Sequence, residues 1–579
     1  MLSAKNKALP QYIQRMLASL RFCSLEPAAL ILGSEKSTIC HRCRKQTGSE
    51  SPREIGQPGV AAPCEAQREQ GEAASVSVNP CIAYLSKTRL EDVDTGFLAY
   101  LANLTEVARR APDVARAIVQ ELADQRRHLK LIASENYCSL PTQLAMGNLL
   151  TDKYAEGVPG VRFYEGCDNI DKVEAYACEQ ACKLFGCDHA YVQPHSGADA
   201  NLIAFWAVLQ ARIEAPALSA LGITDPSKAS REDWNRIRSA LGNQRLLGMD
   251  YYSGGHLTHG YRRNVSGKMF DAYTYGVNRE TNLIDYDEVE SLAREIKPLI
   301  LLVGYSSYPR HINFQRMREI ADKVGAVCMV DMAHFAGLVA GGVFDGDYNP
   351  VAHAQIVTST THKTLRGPRG GIVLCTAEFA DYVDKGCPLV IGGPLGHIMA
   401  AKAVALTEAN MPEFKTYARK ILENAKALAK ACVDEGLTLS TGGTDNHLIL
   451  IDVRPQGLTG RQAAGALREC GITCNSNSLP YDTHGPLITS GLRIGTPAVT
   501  TLGMGEREMG EIARIMRFVL AHTKPRVIET GPNAGKTSKT KYSVEPEAIA
   551  EARTATQGLL GRFPVYPQLD LAFLQQHFM

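Results

Sequence analysis

Five short apolar runs punctuate the middle of the chain, at 189–193, 299–304, 326–330, 355–359 and 371–375. Each is too short for a helix and too continuous for a half-exposed strand, so buried strands are predicted. Between them the apolar spacing widens to three and four residues. Over 171–185, Val173, Tyr176, Ala177, Leu184 and Phe185 lie near one helical face, and 314–324 repeats the pattern. Longer helices are expected over 105–130 and around 400–433. Strands alternating with amphipathic helices predict an α/β chain built on a mainly parallel sheet, with its site at the carboxyl ends of the strands.

The flanks read differently. Residues 1–88 lack a sustained period and are rich in Ser, Gln, Gly, Pro and Glu, which predicts a disordered extension. Lys5, Lys7, Arg15 and Arg21 precede the first acid, Glu26, a composition that superficially fits an organellar transit peptide; a non-functional upstream extension is the competing reading. Residues 89–150 read as a helical arm and 151–408 as a large domain with a charge-rich helical insertion at 211–243. Residues 409–579 read as a smaller C-terminal domain whose α/β unit spans roughly 434–525. The polar stretch 530–548 reads as a flexible connection. Its Gly531-Pro532-Asn533-Ala534-Gly535-Lys536-Thr537 is one residue short of a phosphate loop and follows no strand, so it is assigned as linker.

Composition narrows the class. The 579 residues are 45% hydrophobic and 21% charged, with a formal net charge of +1. Nothing in that balance suits a nucleic-acid partner, and no apolar run reads as a membrane span. Sixteen cysteines are scattered through the chain, several inside predicted elements (Cys178, Cys182, Cys328), as reduced thiols of a cytoplasmic protein would be. Cys40-His41-Arg42-Cys43 has the spacing of half a zinc site that Cys23 and Cys64 could complete, but the outer spacings are not diagnostic and no metal is expected.

The chemistry concentrates around one lysine. In the run from Val357 to Gly371, Lys363 stands behind four hydroxyl residues and ahead of a glycine-rich turn. Hydroxyls and backbone N–H groups can hold a phosphate, and a lysine can bind a phosphorylated aldehyde as a Schiff base. Asp331 closes the preceding strand, where a carboxylate can keep a pyridine nitrogen protonated. Pro194-His195-Ser196-Gly197 opens a helix, whose N–H groups suit an anion. His256 and His259 in Gly254-Gly255-His256-Leu257-Thr258-His259-Gly260 lack metal spacing, and an imidazole stacked on an aromatic cofactor is the better functional reading. Arg493, in an otherwise apolar strand, requires a partner: a protein carboxylate or a substrate carboxylate held bidentately. Tyr154, Glu156 and Tyr164 lie in an irregular, glycine-rich segment, as surface decoration or as acid–base groups.

These segments appear in an order that resembles the serine hydroxymethyltransferase family. Leu131-Ile132-Ala133-Ser134-Glu135-Asn136, Lys153-Tyr154-Ala155-Glu156-Gly157, the 195–199 turn, the histidine loop, Val330-Asp331-Met332-Ala333-His334, the Lys363 run, Thr441–His447 and Ser490–Pro497 carry the likeness, over about 90–525. The resemblance implies an aspartate-aminotransferase-like (type I) pyridoxal-phosphate fold: a large mainly parallel-sheet domain plus a smaller C-terminal α/β domain. It implies transfer of the serine hydroxymethyl group to tetrahydrofolate, giving glycine and 5,10-methylenetetrahydrofolate. The unit would be a homodimer with shared active sites, a tetramer being the alternative. Lys363 would bind the pyridoxal 5'-phosphate aldehyde, Asp331 would pair with its ring nitrogen, and His256 would stack on the ring. Ser196, Gly197, Thr360 and a partner subunit's copies of Tyr154 and Gly393 would surround the phosphate, with Ser306 and His334 against the cofactor. Arg493 and Ser134 would hold the amino-acid carboxylate. Glu156 and Tyr164, from the neighbouring subunit, would meet the substrate hydroxymethyl group, and His362 would tune specificity. Tyr251, Gly255, Leu257, Asn477, Pro486 and Leu487 would line the folate site. Three residues depart from the family pattern: Ala198 for a phosphate-binding Ser, Ser476 for a Lys beside the folate tail, and Tyr251 for a Leu at the pterin ring. A folate-independent aldolase on the same fold, or a silent cofactor-binding protein, are the alternative functions.

Overall fold

The computed structural model describes residues 79–579. The candidate zinc cysteines and the basic N-terminal segment lie outside them. The extension ends earlier than residue 88, because Pro80–Lys87 is a helix capped by the Asn79 side chain. Its Tyr84 ring meets Phe97 edge-on at 5.0 Å. The helix expected over 105–130 is two helices, Thr95–Arg110 and Pro112–Gln125. Pro112 lacks an N–H, so it starts a helix rather than continuing one.

The centre of the fold is a seven-stranded sheet. Its strands are β1 His189–Tyr191, β2 Arg245–Met249, β3 Asp271–Tyr275, β4 Ile300–Gly304, β5 Val327–Asp331, β6 Ile356–Thr360 and β7 Gly371–Cys375. They lie in the order β1-β7-β6-β5-β4-β2-β3. Six run in one direction, and β7 runs against both neighbours. Strands β4 to β7 are buried along their whole length, which is why they read as continuous apolar runs. Helices cover both faces. Phe314–Val324 buries Phe314, Met317, Ile320 and Ala321, is capped by Asn313 and stops at the left-handed Gly325. Register aligns Gly304 with Asp331 and Asp331 with Thr358, placing the carboxyl ends of these strands side by side. A Cβ on Gly304, at φ +128°, would lie 2.1 Å from the Asp331 carbonyl oxygen, so only glycine permits that approach.

A helical stretch, Gly197–Ala220, is long and apolar enough to cross a membrane, contrary to the sequence reading. Ala200, Ile203, Ala204, Phe205, Ala207 and Val208 are buried in the core beside the central sheet, so it is a core helix. It runs into the insertion, which is helical as expected, with Arg231–Leu241 as its main element.

A second, four-stranded antiparallel sheet contains β8 Thr438–Leu439, β9 Leu448–Asp452, β10 Asn475–Asn477 and β11 Gly491–Gly495, in the order β8-β9-β11-β10. Beside it, Leu129–Lys130 pairs in parallel with Ile472–Thr473. The long helix expected near 400–433 is again split before a proline, into Gly396–Ala409 and Pro412–Asp434. The second of these joins the two sheets: Phe414, Tyr417 and Ile421 enter the core of the large sheet, while Leu428, Ala429 and Cys432 enter that of the small one. Residues 530–548 are no linker. Thr537–Val544 pairs with Thr523–Val527, and the phosphate-loop look-alike spans the tip of that hairpin.

Candidate active site

The loops after β1, β2, β4, β5 and β6 converge at the carboxyl edge of the central sheet. Asp331, the last residue of β5, is 7% exposed. Its Oδ2 accepts hydrogen bonds from Asn201 Nδ2 at 2.8 Å and His259 Nε2 at 3.4 Å, and its Oδ1 accepts one from the Ala333 N–H at 3.0 Å. Burial pushes the carboxyl up, but His259, His256 and Asn201 outweigh it and hold it below the usual carboxylate range. Asn201 organises the group. Its amide donates to Thr258 Oγ1 at 2.7 Å and accepts from the Thr358 hydroxyl. The Thr258 N–H donates to His256 Nδ1 at 3.3 Å, which marks that nitrogen as an acceptor, and the Thr258 hydroxyl donates to it at 2.8 Å. His256 therefore carries its proton on Nε2, and burial pushes its pKa down to about 4, so it is a neutral ring.

Lys363 follows β6. Its Nζ donates to Thr360 Oγ1 at 3.0 Å, and its carbonyl accepts from Asn136 Nδ2 at 2.9 Å. Burial lowers the amine to about 8, opposed by Asp331 and aided by Arg493 and Arg369. Beside it, His362 is pushed down to about 3 by burial, and its Nδ1 is buried without a partner. Arg493, on β11, donates to Asn475 Oδ1 at 3.1 Å and to the Ser306 carbonyl at 2.6 Å. Among the described residues of this chain no carboxylate pairs with it, and burial pushes its pKa down to about 10. Ser134 follows Ala133, which packs against Gly495 at the end of β11. Ser306 also donates to the Gly255 carbonyl at 3.2 Å, tying the β4 and β2 loops together.

Ser196 caps the helix Gly197–Leu209, accepting from the Asp199 N–H at 3.2 Å. A Cβ on Gly197 would lie 2.6 Å from Thr360 Cγ2, so that turn and Thr360 form a close cradle at a helix N-terminus. His334 is buried and touches His447, the residue before β9.

The structure sets one group of expected residues apart from this cluster and divides another. Tyr154 and Tyr164 donate to Glu156 at 3.3 and 3.5 Å, and Gly393 adjoins Tyr154 and Glu156. Within the chain no hydrogen bond joins them to Lys363, and both tyrosines are exposed. Of the folate candidates, Gly255 belongs to the histidine loop, and Tyr251 lies near enough to Arg493 to raise its pKa. Asn477 ends β10, while Leu257, Pro486 and Leu487 stand on exposed loops. Sequence reasoning missed Asn201, His447 and Lys402. Asn201 was visible as an amide inside an apolar helix run. Lys402 is wholly buried and donates to the carbonyls of Val192, Pro194 and Gly371 at 2.6, 2.9 and 2.8 Å, bracing the phosphate-cradle turn.

Two buried cations, Lys363 and Arg493, lie close together, Asp331 faces the first, and a helix N-terminus opens at the same sheet edge, so the pocket suits a ligand bearing two anionic groups. An amine lowered to about 8 is primed for an electrophile. Fold and site together define the pyridoxal-phosphate class of α/β enzymes. The serine hydroxymethyltransferase pattern matches residues 107–222 and 235–516, and the chain belongs to that family. It is 60% identical over 496 residues to a serine hydroxymethyltransferase of Treponema pallidum, covering 86% of each chain. It is 58% identical to that of Salinispora tropica, over 82% of this chain and 98% of the relative. With the Mycolicibacterium smegmatis protein of the same name identity is 55%, over 83% and 96%.

Proposed function

We propose that this chain transfers the hydroxymethyl group of serine to tetrahydrofolate, with the Lys363 cluster holding pyridoxal phosphate and serine. When bound, that cofactor supplies an electron-accepting ring that stabilises negative charge on the amino acid's α-carbon. Lys363 provides the amine that attaches the aldehyde. Asp331 would keep a proton on the ring nitrogen, and neutral His256 would pack against the ring. Ser196, Gly197 and Thr360 hold the phosphate. Arg493, together with Ser134, would clamp the substrate carboxylate and so orient the amino acid. His362, Ser306 and His334 bound the cofactor.

Glu156 and Tyr164 move the hydroxyl proton from across a subunit boundary, with Tyr154 and Gly393 joining the phosphate site. Support for a shared site comes from the lack of any hydrogen bond between this cluster and Lys363 among the described residues, and from apolar exposure around it: Leu149 is 87% exposed, Val161 72% and Phe163 68%. We read the working unit as a homodimer, with residues 151–408 as its cofactor-binding domain and 409–579 as its small domain. Tyr251, Gly255, Leu257, Asn477, Pro486 and Leu487 receive the folate. A cytoplasmic setting agrees with the free thiols of all cysteines among the described residues.

The observation that carries the reading is Arg493, a buried guanidinium without a protein carboxylate beside a buried amine. The test is to follow the visible spectrum of protein supplied with pyridoxal phosphate, then glycine, then tetrahydrofolate. A glycine-dependent long-wavelength band that grows with folate is the expected result. A glycine response indifferent to folate replaces the transferase with an aldolase, and the absence of any cofactor absorbance overturns both.

A further inference from the structure

One buried imidazole has no place in the chemistry above. His447 precedes β9, is fully buried, and meets His334 from the loop after β5. His334 Nδ1 and His447 Nε2 are 3.2 Å apart. The ring centroids are 5.4 Å apart and the planes are inclined by 26°. That separation exceeds the N–N distance by about two ring radii, so both nitrogens lie near the line joining the rings. The contact is therefore an in-plane hydrogen bond, not a face-to-face stack.

Burial, with Lys363 and Arg493 nearby, keeps both rings neutral: His447 is pushed down to about 3 and His334 is held well below its ordinary range. Each neutral ring has one N–H and one bare nitrogen. Only two arrangements of the shared bond are then available. If His334 Nδ1–H donates, the proton of His447 sits on Nδ1, a buried atom with no partner. That would leave an orphaned donor, and it would aim a partial positive charge within a pocket that already holds Lys363 and Arg493. If His447 Nε2–H donates, the orphan on His447 is a bare lone pair, which is less costly and is favoured by the same cations. His334 must then carry its proton on Nε2. Among the described residues that nitrogen makes no hydrogen bond and, unlike His447 Nδ1, it keeps some contact with solvent.

We propose that His447 is a positioning residue that fixes the tautomer of His334, so that His334 presents Nε2–H to the cofactor pocket as a hydrogen-bond donor. The small sheet thereby sets the polarity of a group on the large one. What the donor meets there rests on the proposed function; the tautomer is a property of the chain alone.

Solid-state 15N spectra of 15N-histidine-labelled, cofactor-free protein read the tautomer directly, with the His334 signals assigned by their loss in His334→Asn. A protonated Nε2 and bare Nδ1 on His334 are expected in the unsubstituted protein, and a protonated Nδ1 overturns the proposal. His447→Phe keeps a planar ring without a donor, whereas the amide of His447→Gln can reach His334 Nδ1. The phenylalanine variant is expected to lose the single tautomer and to bind pyridoxal phosphate at least tenfold more weakly, with a shifted visible maximum. The glutamine variant is expected to stay within threefold of the unsubstituted protein. Equal behaviour of the two variants refutes the idea. A protein with the expected tautomer that gains no cofactor absorbance would instead fault the proposed function.

Discussion

The site's working charges are set by what each side chain is denied. Lys363 is denied water, which lowers its amine from 10.5 to about 8. Only the unprotonated amine can attack an aldehyde. The rate at which cofactor-free protein takes up pyridoxal phosphate should therefore rise with pH and level off above about 8. A rate still climbing towards 10.5 would show an ordinary lysine. Stability should follow the same group. Between about 8 and 10.5 the unfolded chain holds the Lys363 proton that the folded one has lost, so folding gains stability as pH rises through that window. The gain should be absent in Lys363→Met, measured by denaturant unfolding of the cofactor-free protein. Arg493 is denied a protein carboxylate, so its fork is open to a bidentate substrate. Arg493→Lys keeps the charge and loses the fork. It should raise the serine KM about ten- to a hundredfold, or roughly 1.4–2.8 kcal/mol, with a smaller change in kcat. An unchanged KM would place the carboxylate elsewhere.

At the scale of elements, the phosphate cradle depends on two backbones meeting closely. Gly197→Ala would drive a methyl group into Thr360 Cγ2, 2.6 Å from the ideal Cβ. Cofactor affinity, measured by absorbance titration, should fall about tenfold, and a second change, Thr360→Ser, should restore most of it by removing that methyl while keeping the hydroxyl. No recovery in the double variant would show that the helix itself had shifted. The same closeness explains what could be read from the sequence. Strands β4 to β7 were legible because burial on both faces leaves an unbroken apolar run. Strand β3 was not: it is an edge strand, largely exposed, and its Asp271-Ala272-Tyr273-Thr274-Tyr275 carries no such run. Pro112 and Pro412 each split a helix whose apolar spacing continues across the break. The hairpin at 523–544 was hidden because its strands are polar and exposed, so pairing left little pattern in the chain. Lys363, Asp331 and Arg493 were legible because each is a charge at an apolar strand or its end. Asn201, Lys402 and His447 owe their roles to partners far away in sequence, which no local pattern records.

On the shared-site reading, one chain carries two half-sites. If Glu156 serves the Lys363 of another subunit, two dead variants can repair each other. Lys363→Ala and Glu156→Ala should each be inactive. Co-refolded in equal amounts they should recover about a quarter of full activity, because half the dimers are mixed and each of those has one intact site. No recovery in verified mixed dimers would place Glu156 in its own chain's site.

The short pairing of Leu129–Lys130 with Ile472–Thr473 has a consequence for how the protein is made. About 340 residues separate the two strands, so at ribosomal speeds of roughly 5–20 residues per second the first waits on the order of half a minute for the second. Throughout that interval the helices before it lack their C-terminal partners, and Phe97, Leu101 and Leu104, which end up packed with Val565 and Leu574, face solvent or a chaperone. Ribosomes stalled before residue 472 should carry a protease-sensitive N-terminal arm, and those that have released the C-terminus a resistant one. The arm that comes off the ribosome early among the described residues would thus be among the last pieces to become folded.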